Sequence, residues 1–126
     1  MHSFLPGVIV GVILLQSAVV APMLARLLDR GEFGRVIRVI WPRFFQGLML
    51  LGAASLVMRL LSDDGSMARL VMSGTTLGGA GLCHAIIPAT NRATDMGDAR
   101  RFQLLHVVSV LVTILILVGN AVVAFL

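Results

Sequence analysis

Four long apolar runs, separated by short polar segments, dominate the pattern of this sequence. They extend over Leu5–Leu28, Phe44–Leu61, Met67–Ala89 and Phe102–Leu126. A helix rises about 1.5 Å per residue and the hydrocarbon core of a bilayer is about 30 Å thick, so each run suits one crossing. The pattern therefore predicts an all-α integral membrane protein with four transmembrane helices.

The polar segments after the first and third runs share one spacing, Pro-x3-Arg-x2-Asp-x-Gly-acid-x2-Arg. Self-similarity of this kind indicates a repeated architecture. We therefore predict a single domain, residues 1–126, made of two tandem, parallel-repeat helical hairpins over 5–61 and 67–126. The repeated turn, expected on the cytoplasmic side, comprises Pro22, Arg26, Asp29, Gly31, Glu32, Arg35, Pro88, Arg92, Asp95, Gly97, Asp98 and Arg101.

The boundaries of the second helix follow from its flanking residues. We expect a loop with its flanks over Arg26–Arg43, with Gly31 as a left-handed helix cap and Pro42 in the first turn of the second helix. Arg59, near the other end of this helix, is expected to extend its side chain outward to the membrane interface.

Composition supports lipid as the solvent of this protein. Of the 126 residues, 58% are hydrophobic and 13% are charged, whereas soluble domains carry about 25% charged residues. The net charge is +4, but the arginines stand between long apolar runs and form no contiguous basic face, so nucleic-acid binding is not expected. The expected partners are the lipid bilayer and either further copies of the chain or another membrane protein.

Arginine is distributed unequally between the two sides of the predicted bundle. Eight arginines lie in the connections 22–43 and 88–101, and only Arg59 and Arg69 lie on the other side. Because positively charged loops stay in the cytoplasm, both termini are expected on the extracytoplasmic side. We therefore predict a multi-pass protein of a bacterial-type inner membrane.

Small residues recur at helical spacing in two of the runs. In lipid, such residues allow helix backbones to approach closely. The spacing therefore predicts helix-packing faces formed by Gly7 and Gly11 in the first run and by Gly74, Gly78, Gly81 and Ala85 in the third.

Several polar side chains interrupt the apolar runs. In the fourth run they recur at helical spacing and predict an inward-facing polar stripe. The members of this stripe are His106, Ser109, Thr113 and Asn120. Because ionisable groups inside a membrane often mark functional sites, we consider a candidate intramembrane polar site that comprises Gln16, Gln46, His84, His106, Ser109, Thr113 and Asn120.

His84 and His106 lie at similar depths on neighbouring helices, so three roles stay open for them. They can ligate haem axially or join a transition-metal site with Cys83 or a methionine, handle protons or substrate, or fix helix packing through hydrogen bonds. Cys83 is the one cysteine, which excludes an internal disulfide.

No phosphate-binding loop, Ser-His-Asp set or zinc-ligand spacing occurs in the sequence. We therefore expect a non-enzymatic transport or permeation component, or an accessory membrane subunit. No cofactor is expected. The alternative is a haem- or metal-binding redox protein, with haem or copper held by His84 and His106.

The chain contains two short motifs, which are Val-Val-Ala-Pro at 19–22 followed by Arg26, and Phe102-x2-Leu105-His106-x2-Ser109 before a long apolar run. These motifs resemble those of DUF4149, an uncharacterised family of small four-helix membrane proteins that includes the animal transmembrane protein 205 and many bacterial members. The resemblance implies an integral membrane protein with a histidine at the start of its last helix, matched here by His106. It implies no particular reaction.

Overall fold

Four long helices make up the computed structural model, which describes residues 2–126. We refer to them in chain order as the first to fourth helices, which span Phe4–Leu27, Arg30–Leu61, Met67–Asp95 and Ala99–Ala124. Each is long and apolar enough to cross a membrane. The predicted all-α architecture with four helices of membrane-spanning length is therefore confirmed.

The first helix changes its geometry halfway along. It is α-helical over Phe4–Leu14, π-helical over Leu15–Val20 and α-helical again over Ala21–Leu27. A π-helical turn holds more residues than an α-helical turn and occurs frequently at functional sites. The side chains buried by this helix are Pro6, Ile9, Ile13 and Gln16, and the last segment buries none.

The second helix begins at Arg30, well before the apolar run that predicted it. Asp29 caps this start, because its Oδ1 accepts a hydrogen bond from the backbone N–H of Glu32 at 2.8 Å. Gly31 therefore lies in the first helical turn and Pro42 lies inside the helix. The predicted left-handed cap at Gly31 and the predicted start near Pro42 are wrong. The Asp-x-x-Glu capping signal of Asp29 and Glu32 instead starts the helix at Arg30.

The third helix likewise continues past Pro88 and ends at Asp95. Gly97 then takes a φ of +68°, a conformation that glycine adopts without steric cost. Asp98 caps the fourth helix by accepting a hydrogen bond from the N–H of Arg101 at 3.1 Å.

The two copies of the repeated spacing form different turns. In the first copy Asp29 caps the following helix, whereas its counterpart Asp95 still belongs to the preceding helix. The cap of the fourth helix is Asp98, which is the counterpart of Glu32. Equal spacing therefore gives unequal helix starts, and the arrangement as two tandem hairpins stays a prediction.

The helices form a bundle in which the second helix packs on the third and the third on the fourth. The first helix packs most on the fourth helix and less on the second. The central cluster of buried apolar side chains draws on all four helices and consists of Ile9, Ile13, Phe44, Phe45, Leu48, Ala80, Cys83 and Ile116.

Large apolar side chains also cover the outside of the bundle. Leu50 is 72% exposed, Leu104 is 65% exposed and Leu111 is 60% exposed. Such a surface is unfavourable in water and is favoured against lipid chains, where apolar groups need no burial inside the protein. The fold is therefore that of a multi-pass membrane protein.

Candidate functional site

Two pairs of polar side chains hydrogen-bond inside the bundle. The hydroxyls of Ser55 and Ser73 lie 2.8 Å apart between the second and third helices. Asn120 Nδ2 donates to Thr76 Oγ1 at 2.9 Å between the third and fourth helices, and also to the carbonyl oxygen of Ile116 at 2.8 Å. In a medium without water these bonds fix how the helices are rotated against one another.

Asn120 is the member of the predicted polar stripe that contacts another helix most directly. Thr113 instead donates to the backbone carbonyl of Ser109 in its own helix at 2.7 Å. The same carbonyl lies 3.9 Å from the thiol sulfur of Cys83, which is fully buried. The stripe therefore divides into an interhelical contact at Asn120 and local contacts nearer the start of the helix.

Gln46 and His84 form a polar pair between the second and third helices. Their Nε2 atoms lie 3.3 Å apart. With the amide oriented in this way, Gln46 Nε2 donates and His84 Nε2 accepts, which in the singly protonated ring leaves the N–H on Nδ1. Gln46 is exposed and His84 is half-buried, so the pair lies at the surface of the bundle.

His106 has a different neighbour. Its ring stacks on Phe102, one turn earlier in the fourth helix, with ring centroids 5.6 Å apart and planes inclined by 7°. His106 is exposed, and no hydrogen bond joins it to His84 within residues 2–126. In the same range no group of three His, Cys, Asp or Glu side chains is placed to hold a metal ion. A shared haem or metal site stays a prediction.

Gln16 lies in the π-helical segment of the first helix and is only 9% exposed. Its Nε2 has no hydrogen-bond partner in the described part of the chain. The structure therefore brings together Gln46 with His84 and Asn120 with Thr76, and it leaves Gln16 outside both contacts.

The glycines predicted to pack helices lie away from the contacts within the chain. Among residues 2–126 and beyond the backbone of its own turns, a Cβ atom built at Gly7, Gly11, Gly74 or Gly78 meets no atom within 4 Å, and at Gly81 it meets Met49 Cε at 3.9 Å. Gly74, Gly78 and Ala85 are exposed. Gly74, Gly78, Gly81 and Ala85 form what we call the exposed small-residue face of the third helix. The role of this face, and of Gly7 and Gly11, in helix packing stays a prediction.

Other glycines allow the close approaches inside the bundle. A Cβ at Gly52 would lie 2.8 Å from the backbone nitrogen of Leu77, and one at Gly119 would lie within van der Waals overlap of the Met72 side chain. Sequence reasoning missed both. A usable signal was present, because Gly52 stands three residues before Ser55 and Gly119 directly before Asn120, and both polar residues bond neighbouring helices.

A cluster of charged side chains lies at the end of the bundle where the first helix begins and the fourth helix ends. Asp64 Oδ2 accepts from Arg59 Nη1 at 2.9 Å and from Arg69 Nη1 at 3.0 Å, and it lies 3.4 Å from His2 Nδ1. We call His2, Arg59, Asp64 and Arg69 the arginine cluster. The hydrogen bond from Arg69 is the main cause that lowers the pKa of Asp64, and the charges of Arg69, His2 and Arg59 add to it.

Arg59 does not extend outward as expected. Its side chain is 7% exposed, because Asp64 and the backbone carbonyl of His2 offer acceptors within the bundle end. A guanidinium with these partners stays inside, so the predicted outward orientation of Arg59 is wrong.

At the opposite end an ion pair joins the second and third helices. Arg38 Nη2 lies 2.5 Å from Asp95 Oδ1, and Arg38 Nη1 lies 3.3 Å from Asp95 Oδ2. Both side chains are well exposed, at 39% and 60%. Exposed pairs of this kind add little to stability, so this contact aligns the helix ends more than it stabilises them.

Comparison with known proteins identifies the family but no function. The family model described as Domain of unknown function (DUF4149) matches residues 4–99. No curated protein and no solved structure matches the chain. The match covers the first three helices, including the Gln46–His84 pair and the exposed small-residue face. The chain belongs to the DUF4149 family of domains of unknown function.

Proposed function

We propose that this protein is a non-enzymatic accessory membrane subunit whose working form is an assembly of identical chains. The third helix provides the contact, through the exposed small-residue face of Gly74, Gly78, Gly81 and Ala85. The observation that carries the proposal is the Gln46–His84 pair beside this face, which leaves hydrogen-bonding groups at a surface that lies against lipid.

The small-residue face is suited to helix association in a bilayer. Helices in lipid associate through close packing and interhelical hydrogen bonds, because lipid chains are as apolar as the side chains they replace. Glycines and alanine at steps of four, three and four bring a partner backbone close along three turns. In the described part of the chain, residues 2–126, no side chain occupies that space at Gly74 or Gly78.

The Gln46–His84 pair favours a second copy as the partner. Within residues 2–126 the pair makes one mutual hydrogen bond, which leaves the amide oxygen of Gln46 and the Nδ1–H of His84 available. In a dimer with a two-fold axis, the donor of each copy can face the acceptor of the other copy, so one surface that carries both a donor and an acceptor is self-complementary. An unpaired amide in hydrocarbon costs several kcal/mol, about 4–8 on a cyclohexane scale, so pairing favours association.

The polar groups inside the bundle favour assembly over permeation. Ser55 is paired with Ser73 and Asn120 with Thr76, so these groups use their hydrogen bonds to hold helices together. In the proposed setting, a bacterial-type inner membrane with both termini outside the cytoplasm, the two polar turns face the cytoplasm. The arginine distribution supports this orientation.

Self-association in liposomes tests the proposal. Copies labelled with donor and acceptor dyes are expected to show energy transfer that persists on dilution with lipid. Gly78→Leu is expected to abolish this transfer, since a bulky side chain separates the two faces. Gly65→Leu is the control, because Gly65 is also exposed and free of neighbours but lies in the turn between the second and third helices.

Three results would overturn the proposal. The first is a monomeric wild type at all lipid dilutions, and the second is Gly78→Leu assembling like the Gly65→Leu control. The third is a purified protein with a Soret band that His84→Leu removes, which would favour the haem-binding alternative.

A further inference from the structure

The arginine cluster carries more positive charge than its single carboxylate offsets. Arg59 and Arg69 each contribute +1 and Asp64 contributes −1, which leaves +1 on these three side chains. The neighbouring Asp63 is exposed and forms no ion pair with either arginine among residues 2–126. Both guanidinium groups and the His2 ring meet the same oxygen, Asp64 Oδ2. Asp64 Oδ2 therefore serves three nitrogen groups, and the His2 backbone carbonyl accepts one further hydrogen bond, from Arg59 Nη2.

The cluster is also short of hydrogen-bond acceptors. The Nε atoms of Arg59 and Arg69 are buried and have no partner among residues 2–126. The side chains of these arginines are 7% and 14% exposed. Charged groups withdrawn from water are costly unless further hydrogen bonds compensate them, so the cluster favours an additional anion.

Two helix starts add positive potential at the same end. The first and third helices begin here, and their N-cap residues Ser3 and Ser66 make no side-chain capping bond. Neither helix has an acidic residue in its first turn. At the opposite end, Asp29 and Asp98 cap the other two helices. Uncapped N–H groups and the helix dipole both attract anions.

The geometry points to a binding site for a phosphate anion, which we propose is held by Arg59 and Arg69 of the arginine cluster. A phosphate group offers several acceptor oxygens in an arrangement that matches guanidinium donors. His2, at 56% exposure, forms the open side of the cluster, and Asp64, at 16%, lies beside it. Phosphate at this depth is supplied either by lipid headgroups or by inorganic phosphate.

Thermal unfolding of the purified full-length chain in an uncharged detergent tests this site. One arm adds inorganic phosphate, with chloride at equal ionic strength as its reference. The other arm adds phosphatidylglycerol, with diacylglycerol as its phosphate-free reference. The melting temperature is expected to rise by about 3 °C or more in at least one arm. The arm that responds identifies the source of the phosphate.

Arg69→Gln is expected to remove this rise, while Arg100→Gln, an exposed arginine at the opposite end, is expected to keep it. No rise in either arm, or a full rise in Arg69→Gln, would contradict the site.

Asp64→Asn keeps the test decisive if Arg69→Gln does not fold. This change removes the carboxylate that competes for both arginines. It is expected to lower the melting temperature without phosphate and to enlarge the rise with phosphate. If Asp64→Asn gains no more than the wild type, Asp64 is only a structural bridge and the proposal is wrong.

Discussion

Gly52→Ala tests where the bundle is tightest. A Cβ atom at Gly52 would lie 2.8 Å from Leu77 N, 3.1 Å from Leu77 Cα and 3.2 Å from Thr76 Cγ2. Ordinary contact begins at 3.4 Å, so the helices must separate by roughly 0.6 Å at this point. Two of these atoms belong to the backbone of the third helix, and no rotamer change can move them away.

The expected loss of stability follows from these distances. Overpacking costs about 1–3 kcal/mol, and the higher helix propensity of alanine offsets up to about 1 kcal/mol. We therefore expect Gly52→Ala to destabilise the fold by about 1–2 kcal/mol. Gly78→Ala is the control, since its Cβ meets no atom within 4 Å, and it is expected to be neutral or slightly stabilising.

Gly119→Ala tests another close contact, whose neighbour is a flexible side chain and not a backbone. Its Cβ would meet the Met72 thioether, which can turn away, so a smaller loss than that of Gly52→Ala is expected. Unfolding of the three variants in mixed detergent micelles gives the comparison. Equal stability of Gly52→Ala and Gly78→Ala would refute the reasoning, because the close contact between the second and third helices would then carry no energetic weight.

Three further predictions concern other parts of the molecule. Asn120→Leu and Thr76→Val are expected to show a coupling of at least about 0.5 kcal/mol in a double-mutant cycle, and additive effects would mean that their hydrogen bond contributes nothing. The folded pKa of Asp64 is lowered from an unfolded value of about 3.9, so its contribution to stability is complete above that value and is lost as pH falls through the folded pKa. Melting curves between pH 6 and pH 3 should therefore fall more steeply for the wild type than for Asp64→Asn, and parallel curves would disprove the assignment. Reporter fusions after Leu126 should behave as extracytoplasmic and fusions near Gly97 as cytoplasmic, and the reverse pattern would overturn the arginine-based orientation.

The number and length of the helices could be predicted because lipid imposes them. A segment that crosses the hydrocarbon core must be long, apolar and helical, and this requirement is visible in a single sequence. The start of the second helix could not be found in the same way. Its first residues from Arg30 onward are polar, so hydropathy gives no signal there, and the Asp29 cap decides the boundary.

The rotation of each helix was harder to predict than its position. A polar residue such as Asn120 must find a partner in lipid, and it does so with Thr76. The sequence alone predicts that Asn120 forms an interhelical hydrogen bond, but it does not identify the residue that accepts it. The periodicity around Gly78 likewise predicts a face suited to packing, but it does not say whether the neighbour belongs to the same chain. Gly52 belongs to no periodic set of small residues, so its position three residues before Ser55 is the signal that marks it.

The π-helical segment divides the first helix into two rotational sections. Successive residues of an α-helix differ by about 100° around the axis, so one residue inserted or deleted within Leu15–Val20 changes the direction in which Pro22 and Arg26 point. The section before Leu15 keeps its contacts, because Ile9 and Ile13 anchor it in the core. An insertion or deletion of one residue in this segment can therefore change the direction of the Arg26 side chain while the section before Leu15 stays packed.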